Sequence, residues 1–264
     1  MTPLSWLRDK SVFIVASSAL GAALMAFLLV PILGTMVSSA PGVPAALMDE
    51  RIVNAVYLSV LSAALATLFS LVLGVPLAYI LSRHRFPGSD VLDSLLDLSI
   101  MIPHNAAGIA LLFTLSPRTP LGGSLAALGI TFVDTVWGVA AAMAFVSAPF
   151  LVRSAEDAFS SIDARMEQTA RSLGASRGQV FRHVTLPLSR RGILTGCLLC
   201  WARAVSEFGA VAVLAYYPKT APVLLFDVLI GEGLQAALPI TGIVLLLGVV
   251  VFALFKALNR EAYP

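Results

Sequence analysis

Charge is what this chain has least of. Only 12% of its 264 residues are Asp, Glu, Lys or Arg, where a soluble domain carries about 25%. The formal net charge of +2 does not suggest a nucleic-acid partner, whose binding draws on a strongly basic surface. Cysteine is almost missing too: Cys197 and Cys200 are the two in the sequence. Their C-x-x-C spacing could suggest a redox or metal pair, but it lies in the apolar run GILTGCLLCWA with no further Cys or nearby His to complete a ligand set. They read as two small apolar side chains on one helix face. The sequence contains no G-x-x-x-x-G-K-[ST] and no H-E-x-x-H. It therefore lacks recognisable machinery for hydrolysing a nucleotide or a peptide, and nothing marks an intramembrane enzyme.

What is present is hydrophobic length. Hydrophobic residues make up 58% of the chain and the mean hydropathy is +0.91. Crossing a bilayer takes about 20 mostly apolar residues, and the sequence offers six such stretches, at 12–37, 52–81, 95–115, 132–152, 192–216 and 236–258. The first is far longer than the roughly 7–15 residues of a signal-peptide core, so it reads as a retained transmembrane helix. The third is interrupted by Ile102-Pro103-His104-Asn105. The expected fold class is all-α, a polytopic membrane protein forming one transmembrane domain over residues 1–264.

Six crossings put both termini on one side, and the positive-inside rule selects that side. With the N-terminus in the cytoplasm, inner segments hold thirteen of the 17 basic residues: Arg8, Lys10, Arg83, Arg85, Arg153, Arg165, Arg171, Arg177, Arg182, Arg190, Arg191, Lys256 and Arg260. Outer loops hold Arg51, Arg118 and Lys219, and Arg203 falls inside the fifth stretch. The expected topology is N-in, C-in.

That orientation makes the longest charged stretch, residues 153–191, a cytoplasmic connector. Its pattern predicts helix, break, helix, stop. Asp163 is placed to cap a helix over 163–173, and Gly174 to end it. Ser176 and Gln179 have the spacing of a capping box. Val180, Phe181 and Val184 share one face of the second helix. Pro187 is expected to stop it. An amphipathic helix in the headgroups is the bland reading of a basic loop, but the first helix mixes acids with bases and has a thin apolar face. A helix–break–helix offered to the cytoplasm suits a cleft on a protein partner.

Gln168-Thr169-Ala170-x-x-x-Gly174, followed by Val184-x-Leu186-Pro187, resembles the E-A-A-x-x-x-G…I-x-L-P signature of permease subunits of ABC importers. The chain departs from it at Gln168, with Glu167 one residue earlier, and at Thr169. Leu77–Arg83, Ile102–Ala110, Trp201–Ala210 and Ala215-Tyr216-Tyr217-Pro218 are similar to the molybdate/tungstate branch of that family. The resemblance implies that Glu167, Gln168, Thr169, Ala170, Leu173, Gly174, Ala175, Ser176, Val180, Phe181, Leu186 and Pro187 form an ATPase-coupling segment. It also implies a homodimer in the cell membrane, two cytoplasmic ATPase subunits that bind ATP and magnesium, and an external substrate-binding protein. No cofactor is expected on this chain.

Arg203 and Glu207 lie four residues apart in the fifth stretch and so share a helix face. Ionisable groups at that depth pair with each other or face water; they either line a path or neutralise one another between helices. Pro103 breaks the third stretch, and a break is tolerated only where it is buried in protein or lines a cavity. His104 and Asn105 could then donate hydrogen bonds to a tetrahedral anion. Pro103, His104, Asn105, Arg203, Ser206 and Glu207 are the expected pathway. Gly192-x-x-x-Gly196 reads as a close-packing site. Sulfate import, or gradient-driven anion transport without an ATPase, are the alternative functions.

Overall fold

The structure, a computed structural model, describes residues 3–84 and 86–258, with side chains placed for 13–84 and 86–253. Arg85 and Arg260, and the side chains of Arg8, Lys10 and Lys256, lie outside the described residues. Every regular element described is helical. In chain order these are α1 (Pro3–Ser39), α2 (Val43–Ala46), α3 (Glu50–Arg83), α4 (Ser89–Met101), α5 (His104–Leu115), α6 (Pro120–Ala127) and α7 (Val136–Ser160). Next come α8 (Ala164–Ser172), α9 (Arg177–Val180), a π turn (Phe181–Thr185), α10 (Leu186–Val205), α11 (Gly209–Leu214), α12 (Ala221–Gly231) and α13 (Leu234–Leu258).

Four of these helices are long and apolar enough to cross a membrane, over Phe13–Ser39, Glu50–Arg83, Val136–Ser160 and Leu234–Ala253. The pair α4–α5, bent by 117° at Ile102–Pro103, counts as a fifth if taken as one span. The predicted interruption of the third stretch is thus a sharp break between two helices. The 20-residue α10 is not among the four, because Arg190, Arg191 and Arg203 interrupt its apolar character.

The chain forms two units. The first comprises Met1–Asp49 and Val228–Pro264. In it α13 packs on α1 and α2, and Gly42 lies against the ring of Pro239. None of the most apolar window of α1 is buried. Such a helix is stable only against lipid or another protein surface.

The second unit, Glu50–Asp227, holds the larger core. Here α7 is central, packed between α3 and α10. The contact surfaces are built from small residues: Ala63, Ala66 and Ala78 of α3, Ala142, Ala144 and Ala155 of α7, and Ala204 of α10 are all buried. Between membrane helices small residues allow close backbone approach, which raises dispersion contact where no hydrophobic drive exists. Gly192 and Gly196 serve that purpose as expected: a Cβ at Gly196 would stand 3.0 Å from Cβ of Ser154. Several buried hydroxyls bond within their own helices, as in Ser59 to Ala55 O and Ser147 to Met143 O.

Three boundaries differ from the expectation. The connector is shorter than 153–191, because α7 continues through Ser160 and α10 begins at Leu186. Arg153 belongs to α7, where it is 2.7 Å from Asp93, 2.8 Å from Asp97 and 2.7 Å from Glu156. These contacts tie α7 to α4 and keep the helix regular past the apolar stretch. Pro187 does not stop the second helix. It occupies the first turn of α10, where a missing N–H costs little. The π turn before it already shifts the register, with Leu186 N–H donating to Phe181 O. Finally, the fifth stretch 192–216 is not one helix, since it breaks at 206–208 and resumes as α11.

Candidate functional site: the broken-helix cleft and the connector

The two helix breaks of the second unit meet. A cleft of about 710 Å³ is lined by Pro103, His104, Asn105, Arg203, Ser206, Glu207, Phe208 and Gly209. All six residues expected in the pathway are therefore brought together, from two segments about 100 positions apart in sequence. Gly209 makes the approach possible: a Cβ there would lie 2.5 Å from Oδ1 of Asn105 and 2.8 Å from Cβ of His104.

The break at 206–208 is held by one carboxylate. Glu207, with its side chain only 1% exposed, accepts the Ala210 N–H at 2.9 Å through Oε1 and satisfies an open donor at the start of α11. Its Oε2 lies 2.6 Å from Arg203 Nη2. The same Nη2 is 3.0 Å from Nδ1 and 2.9 Å from Nε2 of His104, and His104 Nδ1 is 3.5 Å from Glu207 Oε2. Ser206 Oγ donates to Arg203 O at 3.0 Å.

Pairing with one another and bordering this cleft are thus compatible for these residues. Glu207 compensates Arg203 from the buried side, while Arg203 and His104 border the cleft. The contacts use Nη2 alone, and a guanidinium carries five N–H donors in a fork suited to oxyanions. With Arg203 paired to Glu207, the cleft presents hydrogen-bond donors beside an acid that lies on its buried side.

The connector, residues 161–185, follows its local signals closely. Asp163 caps α8 by accepting the Arg165 N–H at 2.9 Å. Gly174 ends the helix at φ +93°, a conformation that costs a residue with a Cβ about 1–2 kcal/mol. Ser176 and Gln179 form the full capping box. The residues expected to couple nevertheless divide into two sets. Gln168, Thr169, Leu173, Gly174, Ser176 and Pro187 are exposed, Leu173 at 85%; Ala170 and Ala175 are half-buried.

The other set turns inward. Val180 is buried, and Leu186 packs with the cluster around Leu151, Ala155 and Phe159. The Phe181 ring stands 4.9 Å from that of Tyr79 and 6.2 Å from that of Phe159. Glu167 Oε1 accepts from Arg83 Nη2 at 2.9 Å and from Thr185 Oγ1 at 2.9 Å. Arg83 and Thr185 were not singled out by sequence reasoning. Arg83 closes a stretch already noted for its resemblance, but Thr185 carries no local signal.

A third polar group lies after α11. Asp227 accepts from the Tyr216 hydroxyl and is 2.5 Å from Lys219 Nζ, which also sits over the Tyr216 and Tyr217 rings at 5.5 and 5.1 Å. The bond to Asp227 raises the Lys219 ammonium above its ordinary value. Partial burial pushes the Asp227 carboxyl up, but hydrogen bonds from Lys219 and Tyr216 outweigh it and hold the group below the usual carboxylate range.

Known proteins resemble this chain over nearly its whole length. The molybdate/tungstate transport system permease protein WtpB of Thermococcus kodakarensis is 38% identical over 252 residues, covering 94% of this chain and 96% of the relative. A probable molybdenum ABC transporter permease protein of Haloferax volcanii is 39% identical over 245 residues, covering 92% and 90%. In fold the chain is similar to a chain of a bacterial ABC transporter involved in the import of the acidic polysaccharide alginate, with a TM-score of 0.76 at 17% identity and coverage of 98% and 99%. The family described as "binding-protein-dependent transport system inner membrane component" matches residues 70–262. The chain belongs to that family, the membrane permease subunits of ABC importers.

Proposed function

We propose that the chain is the permease for a tetrahedral oxyanion, molybdate or tungstate, and that it works as a homodimer. Two copies enclose the path between them, two ABC ATPase subunits dock on the connectors from the cytoplasm, and an external binding protein delivers the anion. ATP and magnesium are held by the ATPase subunits. Six crossings with both termini inside place the connector at that cytoplasmic face; the distribution of basic residues supports this topology. The bent pair α4–α5 and the broken α10–α11 then face the shared axis.

The observation that carries the reading is the cleft in which Arg203, His104, Asn105 and Ser206 converge at two helix breaks. The names of the Thermococcus and Haloferax permeases support molybdate or tungstate as the anion. In the transport cycle, ATP-driven closure of the ATPase pair draws the connectors together and opens the path outward. Hydrolysis returns it inward. The exposed connector residues Gln168, Thr169, Leu173, Gly174 and Ser176 form the docking surface, and the inward set holds it in place.

The test is reconstitution of the chain in liposomes with its ATPase and binding protein, measuring uptake of molybdate, tungstate and sulfate. ATP-dependent uptake of molybdate and tungstate, lost when residues 172–181 are deleted, is the expected result. Uptake by the chain alone down an ion gradient overturns the reading in favour of a secondary transporter. Preference for sulfate reassigns the substrate.

A further inference from the structure

The connector carries two carboxylates, Asp163 and Glu167. Asp163 caps α8. Glu167, by contrast, turns back into the protein, with its side chain 13% exposed, and collects bonds from two other elements on one oxygen. Arg83, the last residue of α3, donates to Oε1 from Nε at 3.1 Å and lies 2.9 Å from it through Nη2. Thr185, fully buried at the end of the π turn, donates to the same atom at 2.9 Å. Arg83 Nη2 also donates to Ile162 O at 3.2 Å, so one guanidinium grips both the entry to α8 and its first turn.

The π turn bears on this geometry. A turn closed by i→i+5 bonds holds one residue more than an α turn, and it rotates the succeeding helix by about 100° relative to α register. The rings of Tyr79 on α3 and Phe159 on α7 pack against that of Phe181, the first residue of the turn. Polar bonds thus fix one side of the turn and packed rings fix the other. A hydrogen bond to a charged, partly buried group is among the stronger ones in a protein.

We propose that Arg83, Glu167 and Thr185 form the joint through which movement of the connector reaches α3 and α10. Arg83 and Thr185 are positioning residues for transport, and Glu167 acts inside this chain and not as a contact to the ATPase. The proposal rests on the permease reading of the preceding subsection. With the joint closed, α8 cannot tilt without carrying the ends of α3 and α10, and α10 leads directly to Arg203. With it open, α8 can follow the ATPase while the cleft stays still.

The experiment uses the reconstituted complex and reads three quantities: ATPase subunits co-purified, ATP hydrolysed and molybdate taken up. Thr185→Val is isosteric and removes only the donor, Thr185→Ser keeps it, and Glu167→Gln keeps the shape and removes the charge. Molybdate uptake per ATP is expected to fall about tenfold in Thr185→Val and Glu167→Gln with ATPase subunits retained. Thr185→Ser should return close to wild type, and the Thr185→Val/Glu167→Gln double variant should lose no more than either single variant. The joint is overturned if both single variants transport as wild type, or if Glu167→Gln sheds the ATPase while Thr185→Val does not. Failure of the wild-type complex to couple ATP to uptake counts instead against the permease reading.

Discussion

Arg203 Nη2 and Glu207 Oε2 stand 2.6 Å apart across the point where the fifth apolar stretch breaks. The acid is buried and the base borders the cleft, so the pair is asymmetric in what its loss does. Arg203→Ala strands a buried carboxylate, at a cost on the order of 3 kcal/mol. A drop in melting temperature of the purified protein should accompany the loss of uptake. His104 is 45% exposed, and His104→Ala should lower uptake while leaving the melting temperature close to wild type. Equal melting losses in both variants would show that the cleft is purely structural.

Leu173 is the most exposed apolar side chain of the connector, at 85%. Leu173→Asp should weaken co-purification of the ATPase at least tenfold without changing the stability of the isolated permease, because nothing among the described residues covers that side chain. Retention of the ATPase at wild-type stoichiometry would remove Leu173 from the docking surface.

Arg153 joins Asp93 and Asp97 of α4 to Glu156 of α7. Its removal leaves three carboxylates facing one another. The cluster is partly exposed, so solvent screening holds the expected cost of Arg153→Ala to about 1 kcal/mol. Raising the salt concentration should narrow the difference from wild type in a thermal melt.

The Lys219–Asp227 pair sets a pH window. Asp227 has a lowered value, so its contribution is present above the ordinary carboxylate range and lost as pH falls through the depressed value. Lys219 has a raised value, so its contribution is present below the ordinary ammonium value and lost as pH rises through the raised one. Between these limits the pair stays charged, and its contribution to stability should not vary with pH. Subtracting the melting profile of Lys219→Ala from that of wild type should give a flat difference through the neutral range; a slope there would contradict the pairing.

The local signals of the connector were legible because they act within a few residues. The Asp163 cap, the Gly174 terminus and the Ser176–Gln179 box each join backbone and side-chain groups no more than a few positions apart. The break at Pro103 was legible for the same reason. The break at 206–208 was not, because no proline or glycine run announces it. It depends on a buried Glu207 that accepts a backbone N–H of the next helix. The reading of Pro187 as a stop failed because a proline is equally at home in a first turn, and only the preceding π turn decides which applies.

By itself the sequence determined the membrane character, the helical class and the polar residue types available at the helix breaks, since hydropathy and charge spacing act along the chain. Only the tertiary structure decided which way those residues face. Glu167 and Leu173 lie six positions apart in one charged stretch, yet one is gripped by Arg83 and Thr185 and the other is open to a partner. The difference comes from where α3 ends and how the π turn presents Thr185, contacts between residues up to 84 positions apart that no local pattern records.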